Sequence, residues 1–179
     1  MAAAHEFGDA NFDKLDKLTV GMPYPEAFSA LVSGKTEIDA HLASPPFALL
    51  ELDHPGIHRV MSSGDLLGNL TMIMAYTTRQ FHDKNPKLTQ AFVDALEEAT
   101  EFITHDPHAA AKIYIELAKV KMTDEEALRI VADPNTHFTV TPEGIMKYAD
   151  FMHRVGSIKR QPEGWKELFF PEVQDRPGS

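Results

Sequence analysis

Nine histidines are the side chains of this sequence best suited to binding a metal or moving protons. His54 and His58 have the interval of two ligands on one helical turn, but the Pro-Gly pair between them forbids a regular helix. His105 and His108 flank the expected start of a helix, which already explains a polar residue at each position. We therefore expect solvated or capping histidines and no metal site.

Catalytic chemistry is not indicated by any other motif. The sequence has no nucleophile elbow, phosphate-binding loop, dinucleotide fingerprint or zinc-protease motif. Acidic pairs such as Glu97-Glu98 and Glu125-Glu126 fall on helix faces among lysines, where solvated surface charge is the expected role. We predict no catalytic residue, no cofactor and no enzyme activity.

Two proline-containing loops, Gly-Met-Pro-Tyr-Pro-Glu at 21–26 and Ala-Ser-Pro-Pro-Phe at 43–47, each follow an expected strand. In open α/β sheets ligands lie beyond the carboxyl ends of strands, and free N–H groups at the following helix start can hold an anionic oxygen. Alternatively, the prolines only end strands and begin helices. Met22, Tyr24 and Phe47 are expected to form an apolar wall beside the Ser44 hydroxyl. Asn69 and Thr71, near an expected hinge, are added to the residues of these loops. The predicted ligand-binding residues are Met22, Pro23, Tyr24, Ser44, Pro45, Asn69 and Thr71.

The elements that must position these loops alternate in the first third of the chain. Short apolar runs predict strands at 18–22, 38–44 and 57–61, and helices at 25–33 and 47–52 lie between them. Parallel strands need such crossovers, so the alternation predicts an α/β lobe.

Residues 62–69 are rich in types that permit unusual backbone angles and form the candidate hinge. Residues 70–77 predict an apolar strand with no partner nearby in the sequence. It must pair with the first lobe, with another chain or with an upstream segment. Only helices follow, and the start signals of four of them are Asn85-Pro86, Asp106-Pro107, the capping box Thr123/Glu126 and Thr141-Pro142.

The composition of the chain excludes several classes of partner and of chemistry. The formal charge of −10 repels phosphate backbones, so nucleic-acid binding is not expected. Cysteine is absent, which excludes thiol chemistry and disulfides. No apolar run approaches the ~20 residues of a membrane-spanning helix.

Three stretches resemble the nitrate/sulfonate/taurine-type substrate-binding proteins of ABC importers, a group that includes thiamine-precursor binders. They are the helix, glycine and strand of 25–40 (Pro-Glu-Ala-Phe to Glu-Ile-Asp-Ala), the strand-to-helix stretch 81–99 and the helix start 103–111; residues 144–169 extend the similarity. The resemblance implies a periplasmic-binding-protein-like α/β fold of type II. It also implies that 1–66 is most of the second lobe, 67–69 the hinge, 70–173 the returning part of the first lobe, and 174–179 a flexible tail.

By the same resemblance, two lobes close on a small organic ligand, anionic or heteroaromatic, and an ABC permease in the membrane is the partner. Family members are extracytoplasmic, although the first residues here lack the pattern of a secretory signal. We expect a periplasmic protein truncated at its N-terminus, which would be a monomer if complete and a possible dimer if truncated. The alternatives are a small cytoplasmic enzyme of thiamine-pyrimidine-synthesis type, or a ligand-free dimerisation module that uses residues 70–77.

Overall fold

Helices form all the regular secondary structure in residues 1–119 and 121–179, which are the residues that this computed structural model describes. Helical residues, 3-10 turns included, make up 53% of these residues. The α-helices are α1 (Ala2–Phe7), α2 (Tyr24–Ser33), α3 (Phe47–Glu51), α4 (Ser63–Leu67), α5 (Arg79–Lys84), α6 (Pro86–His105), α7 (Pro107–Ala118), α8 (Asp124–Val131) and α9 (Ile145–Arg154). The 3-10 turns lie at Asp9–Asn11, Asp16–Leu18, Trp165–Leu168 and Pro171–Val173.

The predicted α/β fold of periplasmic-binding-protein type II is wrong, because the described residues contain no strand and no sheet. The segments expected to be strands, at 18–22, 38–44, 57–61 and 70–77, form no strand pair; Leu18 ends a 3-10 turn, and the other residues lie between helices. A strand is stable only where its N–H and C=O groups meet those of a neighbour. Several apolar side chains of these segments face solvent instead: Leu42 is 84% exposed and Ile73 is 91% exposed.

Helices with clear end signals confirm their predictions. Helix α2 ends at Gly34, which adopts the left-handed conformation (φ 59°) that glycine tolerates. At the start of α7, Asp106 Oδ1 accepts the N–H of Ala109 at 2.9 Å. The capping box of α8 is complete, since Thr123 Oγ1 accepts the N–H of Glu126 and Glu126 Oε2 accepts the N–H of Thr123.

One helix start differs from the prediction, and another agrees in position but not in bonding. Helix α6 begins at Pro86 after Asn85, as predicted, but the Asn85 side chain does not bond to the first turn of α6. Its side-chain amide instead donates to the carbonyl of Phe81 at 2.8 Å and so closes α5, a helix that we did not predict. Helix α9 begins at Ile145, after Gly144 in a left-handed conformation, rather than at Thr141-Pro142. Local polar side chains therefore located these helix starts to within a few residues, but they did not predict which hydrogen bonds form there.

The buried core is small. Helix α7 packs chiefly against α8, and α6 packs against α7. Their shared interior contains Ala110, Ala111, Ala127 and Ile130, each 8% exposed or less. No large side chain among the described residues is completely buried. The helical part therefore depends on a narrow seam of small residues.

The C-terminal residues join α6 and α9. Arg176 forms two hydrogen bonds with the carboxylate of Glu97, at 2.6 and 2.8 Å. The carbonyl of Ser179 accepts the N–H of Ile145 at 2.7 Å, and its hydroxyl accepts the N–H of Gly144. The domain boundaries predicted at 66, 69 and 173 stay predictions. No described helix combines the length and apolar character needed to cross a membrane.

Candidate functional site

An aromatic cluster joins the start of α2 to α3. The rings of Tyr24 and Phe47 stack nearly parallel, with their centroids 5.7 Å apart and 11° between their planes. Phe28, one turn along α2, contacts Phe47 at 5.9 Å and His54 at 5.6 Å. The Tyr24 side of this cluster is open, because Tyr24 remains 43% exposed. Stacked rings of this kind attract flat ligands through their faces.

A histidine–carboxylate pair lies beside the same rings. His41 Nδ1 is 2.6 Å from Glu51 Oε1, and its ring is 5.5 Å from that of Tyr24. Glu51 is only 5% exposed and is the one buried charged residue in the described part of the chain. The hydrogen bond between His41 and Glu51 uses Nδ1 of the imidazole, and Nε2 forms no hydrogen bond with another described residue.

The electrostatics of the cluster do not favour an anion. Glu26 lies in the first turn of α2, and its N–H already bonds to the carbonyl of Pro23 at 3.0 Å. Pro25 has no N–H to offer. Among the described residues, no lysine or arginine forms a hydrogen bond or ion pair with Tyr24, His41 or Glu51. The start of α2 thus offers an anion fewer donors than the sequence suggested.

An ion pair holds the end of this region against α8. Arg129 donates to both oxygens of Asp53, at 2.8 and 2.5 Å. The hydrogen bond from Arg129 lowers the pKa of the Asp53 carboxyl below its usual value, so the pair remains ionised at neutral pH. The loop that carries His54 is therefore attached to the helical core.

Of the predicted ligand-binding residues, Tyr24 is a member of this cluster. Met22 and Pro23 directly precede α2, and Ser44 and Pro45 lie shortly before α3. The carbonyl of Ser44 accepts the N–H of Ala48 at 3.0 Å, and the peptide bond that follows Pro45 is cis. Their role in binding stays a prediction.

Asn69 lines a separate cleft of about 400 Å³, and Thr71 bonds to Glu143, which lines the same cleft. The N–H of Thr71 donates to the carbonyl of Glu143, and the N–H of Glu143 donates to Thr71 Oγ1, both at 2.8 Å. No recorded hydrogen bond or ring contact within residues 1–119 and 121–179 joins this cleft to the aromatic cluster. Its polar wall consists of Asn69, Thr104, Asp133, Thr136, His137, Thr139 and Glu143.

Sequence reasoning missed His41, Glu51 and His54 as members of a site. His41 fell in a predicted strand, and Glu51 was taken as part of a brief helix. One signal was available: Glu51 is the single charge in an otherwise apolar helical segment, where a carboxylate needs a partner. No group of three or more histidine, aspartate or glutamate side chains in the described residues is arranged to hold a metal ion.

Comparison with known proteins identifies the family. No curated protein and no solved structure matches the chain. The model of the NMT1-like family matches residues 7–119, which is more than half of the sequence and includes α2, α3 and the whole aromatic cluster. The chain therefore belongs to the NMT1-like family, a family of nitrate/sulfonate/taurine-type substrate-binding proteins of ABC importers.

Proposed function

We propose that the chain binds a small, flat heteroaromatic solute at the aromatic cluster and serves as the extracytoplasmic solute-binding component of an ABC importer. Membership of the NMT1-like family supports the solute-binding role. The observation that carries the ligand class is the parallel stack of Tyr24 on Phe47, with Tyr24 still 43% exposed. The proposed role makes and breaks no covalent bond, and the ligand passes to a membrane permease.

A heteroaromatic ligand suits the cluster better than a small anion such as nitrate or a sulfonate. The chain carries a formal charge of −10, and Glu26 and Glu51 lie at the cluster itself. A planar ring gains from stacking by about 0.5–1.5 kcal/mol beyond the burial of its area. In the proposed complex, His41 bonds to Glu51 through Nδ1 and offers Nε2 to a polar group of the ligand.

Titration calorimetry with pyrimidines, aromatic carboxylates, sulfonates and nitrate tests the proposal. We expect the pyrimidines to bind and Tyr24→Ala to weaken that binding at least tenfold, because truncation removes one wall of about 1.5–3 kcal/mol. Phe81→Ala is the matched control, since Phe81 on α5 is 44% exposed and lies outside the cluster. Binding of nitrate or sulfonates alone, or equal losses in the two variants, would contradict the proposed ligand class.

Location and partner require a separate experiment. Fractionation of cells that express the chromosomal gene is expected to place the protein outside the cytoplasm. Co-purification with a membrane permease is expected to depend on added ligand. A protein found only in the cytoplasm would rule out the importer role while leaving the ligand class open to its own test.

A further inference from the structure

The chain exposes far more surface than its mass accounts for. A compact monomer of 20.0 kDa is expected to expose about 8,700 Å². The accessible surface here is 12992 Å². The excess of about 4,300 Å² is several times the ~800 Å² that each partner contributes to a standard protein interface. Surface of this amount and apolar character indicates an interaction face.

One contiguous part of that surface is residues 70–78, which we call the uncharged segment. Its sequence, Leu-Thr-Met-Ile-Met-Ala-Tyr-Thr-Thr, contains no charged residue, no proline and no glycine. Met72, Ile73, Met74 and Tyr76 are 67%, 91%, 53% and 96% exposed. A run of this composition has a strong tendency to pair with another strand.

The backbone of the uncharged segment is also unpaired. Residues 71–78 contain no helix, turn or bend. Thr71 bonds to Glu143, and Thr78 accepts from the first turn of α5. Between them, residues 72–77 form no backbone hydrogen bond with another described residue. Such a row of free N–H and C=O groups is a template for strand addition.

We propose that two copies of this chain associate by antiparallel pairing of their uncharged segments. Two-fold pairing places the same surface of each copy against the other, so the surface must be self-complementary. The segment meets this condition because it carries no charge that would repel the same segment of a second copy. The chain as a whole carries a formal charge of −10, which disfavours contact between two copies elsewhere. The excess surface of the whole chain exceeds the ~800 Å² that each partner contributes to a standard interface, and the uncharged segment is part of that surface.

Pairing also accounts for the side chains that face solvent. In a strand pair, successive side chains point to opposite faces, which puts Ile73 with Ala75 on one face and Met72, Met74 and Tyr76 on the other. Methionine sulfur and tyrosine rings make favourable cross-strand contacts. Both faces of the pair therefore gain apolar contacts that the single copy lacks.

Sedimentation velocity of the full chain from about 1 to about 100 µM tests the proposal, because these concentrations bracket a dimer Kd near 10 µM. We expect a concentration-dependent dimer for the wild type and at least a tenfold rise in Kd for Ile73→Lys. Leu117→Lys is the matched control: Leu117 is 78% exposed but lies on α7. Far-UV circular dichroism at each concentration shows whether the variants keep their helices.

Three results would overturn the proposal. A wild type that stays monomeric over this concentration range would show that a second copy does not cover the segment and would leave a different polypeptide as its occupant. Species that grow without limit would exclude a closed pair. Equal weakening by Leu117→Lys and Ile73→Lys would show that association does not depend on the uncharged segment.

A second measurement does not rely on a destabilising charge. The chain has no cysteine, so a single introduced cysteine reports only on its own position. We expect one of Ile73→Cys, Met74→Cys and Ala75→Cys to form a disulfide-linked dimer rapidly under mild oxidation, and Leu117→Cys not to do so. Cross-linking of Leu117→Cys at the same rate, or of none of the three, would contradict antiparallel pairing.

Discussion

Gly144 precedes α9 at the point where the cleft wall approaches the uncharged segment. Its backbone is left-handed, with φ 64° and ψ 19°. A Cβ at this position would lie 2.6 Å from the carbonyl oxygen of Asn69 and 2.5 Å from a methyl group of Leu70. Gly34, at the end of α2, has almost the same backbone, φ 59° and ψ 19°, but nothing lies within 4 Å of its Cβ position. A comparison of alanine substitutions at the two glycines therefore separates the effect of backbone strain from that of steric overlap.

The expected costs follow from these distances. An alanine in the left-handed region costs about 1–2 kcal/mol at either site. At Gly144 the leucine methyl can rotate away, but the backbone carbonyl of Asn69 can move only with its chain. Overlap of this kind adds about 1–3 kcal/mol. Displacement of residues 69–71 would also weaken the two 2.8 Å bonds between Thr71 and Glu143. We expect Gly144→Ala to lower the free energy of unfolding by about 2–5 kcal/mol.

Urea unfolding followed by far-UV circular dichroism measures this difference. With a slope near ~2 kcal/mol/M, the midpoint of Gly144→Ala should lie about 1 M below that of Gly34→Ala. All samples need one protein concentration, because self-association contributes to apparent stability. Equal midpoints for the two variants would refute the argument, since backbone strain alone would then account for both.

Two further predictions concern helix ends and pH. Thr123→Ala removes the capping box of α8 and should lower the free energy of unfolding by about 1 kcal/mol, measured by urea unfolding; an unchanged midpoint would mean that the cap contributes nothing. A hydrogen bond to Asp83, and a weaker effect of the one to Glu172, raise the pKa of His82 above its ordinary 6.5. The charged imidazole therefore stabilises the fold fully below pH 6.5, and this stabilisation is lost as the pH rises through the raised pKa. The difference in melting temperature between wild type and His82→Gln should therefore become smaller from about pH 5 to about pH 9, and the loss of ring stacking on Phe170 accounts for what remains. A difference that grows with pH would contradict this sign.

The His82 contact also shows what tertiary structure adds. The imidazole stacks on Phe170 with centroids 4.1 Å apart, and its Nε2 lies 2.9 Å from Glu172 Oε1. These partners are about ninety positions away in the sequence, so no local pattern could relate them. Asp83, which is adjacent in sequence, supplies the other hydrogen bond, at 2.9 Å. A local reading finds Asp83 and misses Glu172.

Helix positions were predictable because a helix satisfies its own backbone groups. The left-handed glycine after α2, the aspartate cap of α7 and the capping box of α8 are interactions within a few residues, so their side-chain types were sufficient. The gathering of Tyr24 and Phe47 was also foreseeable, since each lies beside a proline that turns the chain near a helix start.

Strands could not be predicted in the same way. The sequence by itself determined which segments are rich in apolar residues, including 38–44 and 70–77, and it determined the ends of helices that have local end signals, such as α2 and α8. Whether such a segment becomes a strand depends on a neighbouring strand that supplies a ladder of hydrogen bonds, and the described residues contain no such strand. Tertiary structure alone decided that these segments remain exposed, that His41 lies against the buried Glu51, and that Thr71 bonds to Glu143, because each depends on contact between residues distant in the chain.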